Sequence, residues 1–156
     1  MYPVLYIYIF LQIGVFETME PSYQDAKDLQ PVIQRWRREL HQIPEIGAEL
    51  PKTKAYIMNR LTRMGIPFKE NKSDSGLIAE IKGGIPGKTI ALRADRDALP
   101  IKEANEVDYI SKHEGCMHGC GHDTHVTMLL GAAKVLNENK ANIKGTVRLL
   151  FQTDEE

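Results

Sequence analysis

The nine residues Met117-His118-Gly119-Cys120-Gly121-His122-Asp123-Thr124-His125 hold three imidazoles, a thiol and a carboxylate. These are metal-ligand side chains: a neutral imidazole and a thiolate suit a borderline-soft cation such as zinc, and a nearby carboxylate can orient an imidazole through its second nitrogen. A second acidic group, Asp154-Glu155-Glu156, closes the sequence. One glutamate there can ligate a cation through oxygen while the other takes a proton from water that the cation has acidified. Asp95 and Asp97 follow an apolar run, and because alternate strand residues point to one side they can share a face, one of them supporting an imidazole. Together these groups could hydrolyse a carbonyl compound with metal-activated water.

Taken singly, each has a plainer role. Cys120 could be a small buried hydrophobe, a lone histidine is usually satisfied by hydrogen bonds, and an acidic chain end is usually solvated. Asp95 and Asp97 could initiate a turn before Pro100. Position favours chemistry, because Cys120 and His122 stand directly before a helical pattern and Glu155-Glu156 directly after a buried strand, where α/β proteins place active sites. His118 and His125 are the less certain members, His113 reads as a solvated loop residue, and His41 reads as a partner for the dipole at the end of the first helix. Cys116 and Cys120 are the only cysteines. That excludes a disulfide framework and favours a cytoplasmic setting, leaving a local redox pair as an alternative to a metal-held thiol. A Cys120 nucleophile with His122 as base is weaker, since residues two apart rarely place thiol and base correctly.

Several elements must position these groups. Leu29, Val32, Ile33, Trp36 and Leu40 recur at spacings of three and four, which predicts an amphipathic helix over 29–40 that ends before Pro44. Pro51 opens a second helix that stops at Gly65. Ile66-Pro67-Phe68, Leu77–Ile81 and Thr89–Ala94 read as strands, the last two joined as a hairpin through Gly83–Gly87. A long functional loop spans 95–124, followed by a helix marked by Val126, Leu129, Leu130, Ala133 and Leu136 with Asp123 or Thr124 as its cap. Gly145–Phe151 is a last buried strand. The order predicts an α/β fold, a layered mixed sheet with flanking helices.

At 156 residues, 42% hydrophobic and 26% charged, the chain suits one globular domain. A net charge of -1 and a pI of about 6.5 leave no basic footprint for nucleic acid. Tyr2 to Phe16 is uncharged and apolar, too short for a membrane span and without the basic start of a secretory signal. Residues 1–19 are therefore read as an apolar extension of unknown role, the first eighteen being expected to be foreign to the fold with Met19 as the natural start, and no membrane partner is expected.

The runs Arg38-Glu39-Leu40-His41-Gln42-Ile43-Pro44-Glu45, Leu92 to Pro100, Met117 to Gly131 and Phe151 to Glu156 resemble, in order and spacing, the amidohydrolase branch of the aminoacylase and carboxypeptidase metallopeptidases. That branch includes hippurate hydrolases, N-acetyldiaminopimelate deacetylases and indole-acetyl-amino-acid hydrolases. The resemblance covers about residues 29 to 156. It implies a zinc-exopeptidase-like catalytic domain with two divalent ions (zinc, manganese, cobalt or nickel), cleaving the amide bond of a small N-acyl amino acid, in a full-length protein that forms homo-oligomers. By position, Cys120 resembles the bridging thiolate, His122 a ligand of one metal, Glu156 a ligand of the other and Glu155 the general base. Asp97 resembles the acidic residue that in the wider family stands two after a ligating histidine, a supporting part of the catalytic apparatus. Gly119 replaces the usual alanine, Arg96 stands where methionine is common, and Thr153-Asp154 stand where Pro-Ala is common. The family also needs two further histidine ligands and a lid domain. Residues 20–156 are thus expected to be the N-terminal part of such a domain, which alone would bind metal weakly and turn over little substrate. The rival expectation is a non-catalytic remnant or metal-binding module.

Overall fold

The computed structural model describes residues 23–156, so the expected extension over 1–19 lies outside the described residues. A short helix α1 (Tyr23–Asp28), which no periodicity announces, leads into α2 (Gln30–His41) and α3 (Pro51–Arg63). Then come β1 (Phe68–Glu70), β2 (Leu77–Lys82), β3 (Ile85–Asp95), helix α4 (His122–Glu138), a 3-10 turn (Lys140–Asn142) and β4 (Lys144–Gln152). The mixed α/β architecture agrees with the sequence pattern. No helix among the described residues is long and apolar enough to cross a membrane.

The strands form one sheet in the order β1-β2-β4-β3, with β1/β2 and β2/β4 antiparallel and β4/β3 parallel. The predicted β2–β3 hairpin is therefore not formed, because β4 lies between them. The glycines that invited the hairpin serve a crossing instead. A Cβ on Gly83 would stand 2.1 Å from the Ile143 carbonyl oxygen, and one on Gly84 2.4 Å from that of Ala141. Only bare backbone can pass so closely over the entry to β4. The extended chain resumes at Ile85, where sequence predicts turn, and an irregularity between Ile85 and Thr89 absorbs the change of register.

β4 alternates cleanly: Val147, Leu149 and Phe151 point inward while Arg148 points out. Leu77, Ala79 and Ile81 of β2 join the same face, against Trp36 and Leu40 of α2, Ile57 and Leu61 of α3 and Val126, Leu130 and Ala133 of α4. Burying each large side chain of this set contributes about 1.5–3 kcal/mol. The core therefore clamps the parallel pair β3/β4 beneath α4, so that the ends of β3, β4 and the start of α4 meet at one edge.

Candidate metal centre

β3 ends at Asp95 and β4 at Gln152, and because the two run parallel their following residues leave the sheet side by side. Residues 96–121 form the expected long loop, closed on itself where Leu99 and Met117 exchange backbone hydrogen bonds (3.0 and 3.1 Å). That closure returns Cys120 to the sheet edge. Gly121, in the left-handed region at φ 84°, then turns the chain into α4. The predicted side-chain cap is not formed, since His122 and Asp123 already belong to the helix. Asp123 instead accepts the Thr124 N–H (2.9 Å) from within the first turn.

His122 is buried, and its Nδ1–H donates to the Asp97 carbonyl (2.9 Å). This hydrogen bond assigns the tautomer and leaves the Nε2 lone pair free. Nε2 faces Glu155 at 3.5 Å and Glu156 at 3.8 Å. The exposed Cys120 thiol hydrogen-bonds the Glu156 carboxylate, which pushes its pKa above the ordinary thiol value. Asp97 Oδ2 accepts the backbone N–H groups of both Glu155 (2.8 Å) and Glu156 (3.0 Å). Burial pushes the Asp97 pKa up, but those two donors outweigh it and hold the carboxyl below its usual range. Cys120, His122, Glu155, Glu156 and Asp97 therefore come together as one cluster.

Among the described residues, two groups bring ligand atoms within 4.8 Å of one another: His122–Glu155–Glu156 and Asp95–His122–His125. The donor set of the first, extended by the Cys120 sulfur, fits a borderline divalent cation. In the second, Asp95 is already paired with Arg93, and the His125 ring is stacked on His122 at 5.3 Å. His118 joins neither. It is buried, its ring nitrogens have no hydrogen-bond partner among the described residues, and burial pushes its pKa down to about 4. His113 is moored rather than solvated, with Nδ1 donating to the Pro44 carbonyl (2.5 Å).

His41 also departs from its sequence reading. His41 does not serve the end of its own helix. Its Nδ1–H donates to Asp123 (2.7 Å) and its Nε2–H to Glu103 (3.0 Å). Both partners are carboxylates, which only accept while ionised, so both nitrogens donate and the ring is an imidazolium; the hydrogen bond to Asp123 raises its pKa against the opposing effect of burial. Burial pushes Glu103 up, but the Ser111 N–H and His41 outweigh it and bring its pKa down to about 2. The raised histidine contributes stability in full below about pH 6.5 and loses it as pH rises through the folded value. The depressed carboxylates contribute above about pH 4.5 and lose it as pH falls. Buried His118, held at about 4, works the other way and costs stability as pH falls below about 6.5, so the loss on the alkaline side of about pH 6.5 belongs to His41, and His41→Gln should flatten that alkaline limb of the urea midpoint.

Arg96 is fully buried, and its three guanidinium nitrogens have no hydrogen-bond partner among the described residues. Burial pushes its pKa down to about 10, opposed by the charges of Asp74, Glu45 and Asp97. Burying an ion costs several kcal/mol unless close partners and hydrogen bonds repay it, and the Arg96 nitrogens have no such hydrogen bonds among the described residues. Arg96→Met should accordingly raise stability by about 1–4 kcal/mol in urea titrations. A lower midpoint would mean that the surrounding carboxylates outweigh the burial.

Residues 91–156 match the family model described as Peptidase family M20/M25/M40. The chain is 50% identical over 120 residues to N-acetyl-L-cysteine deacetylase of Bacillus subtilis (strain 168), covering 77% of this chain and 29% of that protein. It is 42% identical over 141 residues to thermostable carboxypeptidase 2 of Saccharolobus solfataricus, covering 90% of this chain and 36% of that protein. A solved Bacillus subtilis structure described as a dinuclear metal binding peptidase from the M20 family superposes with a TM-score of 0.78 at 41% identity, covering 81% of this chain and 36% of that one. The chain thus spans about a third of the length of these relatives.

Proposed function

Because this chain belongs to peptidase family M20/M25/M40, we propose that it carries part of the metal centre of an amidohydrolase acting on N-acyl amino acids. The observation that carries this reading is the convergence of the Cys120 thiol, the free Nε2 of His122 and the Glu155 and Glu156 carboxylates at the ends of two parallel strands. Cys120, His122 and Glu156 would hold divalent ions, two in number by analogy with the dinuclear relative, and zinc, manganese, cobalt or nickel would suit the set. When bound, such ions acidify water and polarise the amide carbonyl.

Glu155 is exposed, so a substrate can reach its carboxylate. In this reading its carboxylate accepts the proton of the attacking water and returns it to the nitrogen of the departing amino acid. Asp97 acts through the backbone: by accepting two successive N–H groups it sets where both glutamates leave the sheet. The Asp97 carbonyl does the same for His122. A cytoplasmic setting is supported by two free cysteines, Cys116 and Cys120.

The test is a chimera in which the matched 120 residues of this chain replace their counterpart in the Bacillus subtilis N-acetyl-L-cysteine deacetylase. It should hydrolyse N-acetyl amino acids, lose that activity to a chelator and regain it with zinc, manganese or cobalt. A folded chimera that binds these ions and leaves every N-acyl amino acid intact would overturn the proposal.

A further inference from the structure

His41 stands outside the cluster of ligand candidates, yet it touches both structures that deliver them. Its side chain is 3% exposed and lies between the carboxylates of Asp123 and Glu103, whose own side chains are 0% and 3% exposed. Asp123 is the residue after His122, so its position sets the first turn of α4. Glu103 belongs to the loop that ends in Cys120, and its second oxygen accepts the Ser111 N–H (2.7 Å). The same loop is tied to the end of α2 by the Lys112 N–H, which donates to the Gln42 carbonyl (3.0 Å), and by Tyr109, which lies under Arg37 and Arg38. Arg37 shares the Asp123 oxygen that His41 holds (2.9 Å), His118 lies 6.3 Å away ring to ring, and Tyr109 meets the His41 ring edge-on.

An imidazolium donates from its two ring nitrogens in nearly opposite directions while neutralising part of two buried negative charges. Without it, Glu103 and Asp123 would face each other across a desolvated gap, and Glu103 would lose its bridge to the first turn of α4. Resting on the metal reading above, we propose that His41 is a positioning residue for the metal ligands, a charged clasp that fixes the arm bearing Cys120 against the helix end bearing His122.

The test uses the full chain with three substitutions: His41→Asn, which keeps a donor toward Asp123 alone, His41→Gln, which keeps one toward Glu103 alone, and Glu103→Gln, which weakens the loop side while leaving the histidine. Cobalt(II) affinity is measured where circular dichroism shows each protein folded, alongside amide hydrogen exchange. Each variant is expected to bind cobalt about 10- to 100-fold more weakly than the wild type, the usual cost of losing a partner that orients ligands. Exchange should quicken at Ser111 and Lys112 while the β2–β4 amides at Ile81 and Val147 keep their protection. Variants that bind cobalt like the wild type, whatever their exchange, would reduce His41 to a fold-stabilising role and overturn the inference. Should His41 variants fail to fold, Glu103→Gln alone decides the matter by the same two readouts. A wild-type chain that binds no cobalt would instead overturn the metal reading, and this inference with it.

Discussion

Glu155→Gln in the chimera is expected to lower kcat by about 100- to 10,000-fold, the range for removing a positioned general base, while leaving bound metal unchanged. The amide is isosteric with the carboxylate but cannot take a proton from water. The backbone N–H of residue 155 would still be held by Asp97, and Glu156, whose own N–H the same oxygen accepts, would keep its place. Steady-state kinetics with N-acetyl-L-cysteine and metal analysis of the same sample check both halves. Loss of metal together with activity would move Glu155 from base to ligand, and a loss of less than tenfold would remove it from the chemistry.

Asp123→Ala is expected to carry the largest cost in stability, about 3–5 kcal/mol, because it strips the partner from two cations at once. Its carboxylate, 0% exposed, accepts from His41 (2.7 Å) and Arg37 (2.9 Å). Burial pushes its pKa up, but His41 and its other partners hold it below the usual carboxylate range, so the group is charged throughout the neutral region. Urea unfolding at pH 6 measures the cost directly. A fall of less than about 1 kcal/mol, the scale of a surface ion pair, would show that water reaches the network.

The candidate ligand cluster is legible in the sequence because its members are concentrated: Cys120 and His122 lie two residues apart, Glu155 and Glu156 are adjacent, and each pair abuts a recognisable helix or strand. The fold class is legible as well, since β2 and β4 are short apolar runs bounded by turn residues and α2 and α4 keep helical spacing. The hairpin failed because Gly83 and Gly84 signal a sharp change of direction but not what the chain passes over, and the strand that fills the gap arrives some sixty residues later. Long-range electrostatics were hidden for a similar reason. His41 is separated from Asp123 by 82 positions and from Glu103 by 62, so nothing local marks it as more than a helix-end histidine. Arg96 sits among charges that a linear reading places in a turn, and only burial reveals that its guanidinium lies in the interior. Helix α1 is six residues long, too short for a period to show.

The central claim is that Cys120, His122 and Glu156 hold divalent ions where β3, β4 and α4 meet, with Glu155 beside them as the base. Titrating the chain with cobalt(II) tests it most directly, because a thiolate bound to cobalt gives a near-ultraviolet charge-transfer band that imidazole and carboxylate cannot produce. A saturable band that disappears in Cys120→Ser, weakens strongly in His122→Ala and persists in Cys116→Ser is the predicted result. A band that survives Cys120→Ser, or no band at any cobalt concentration that leaves the protein folded, would contradict it.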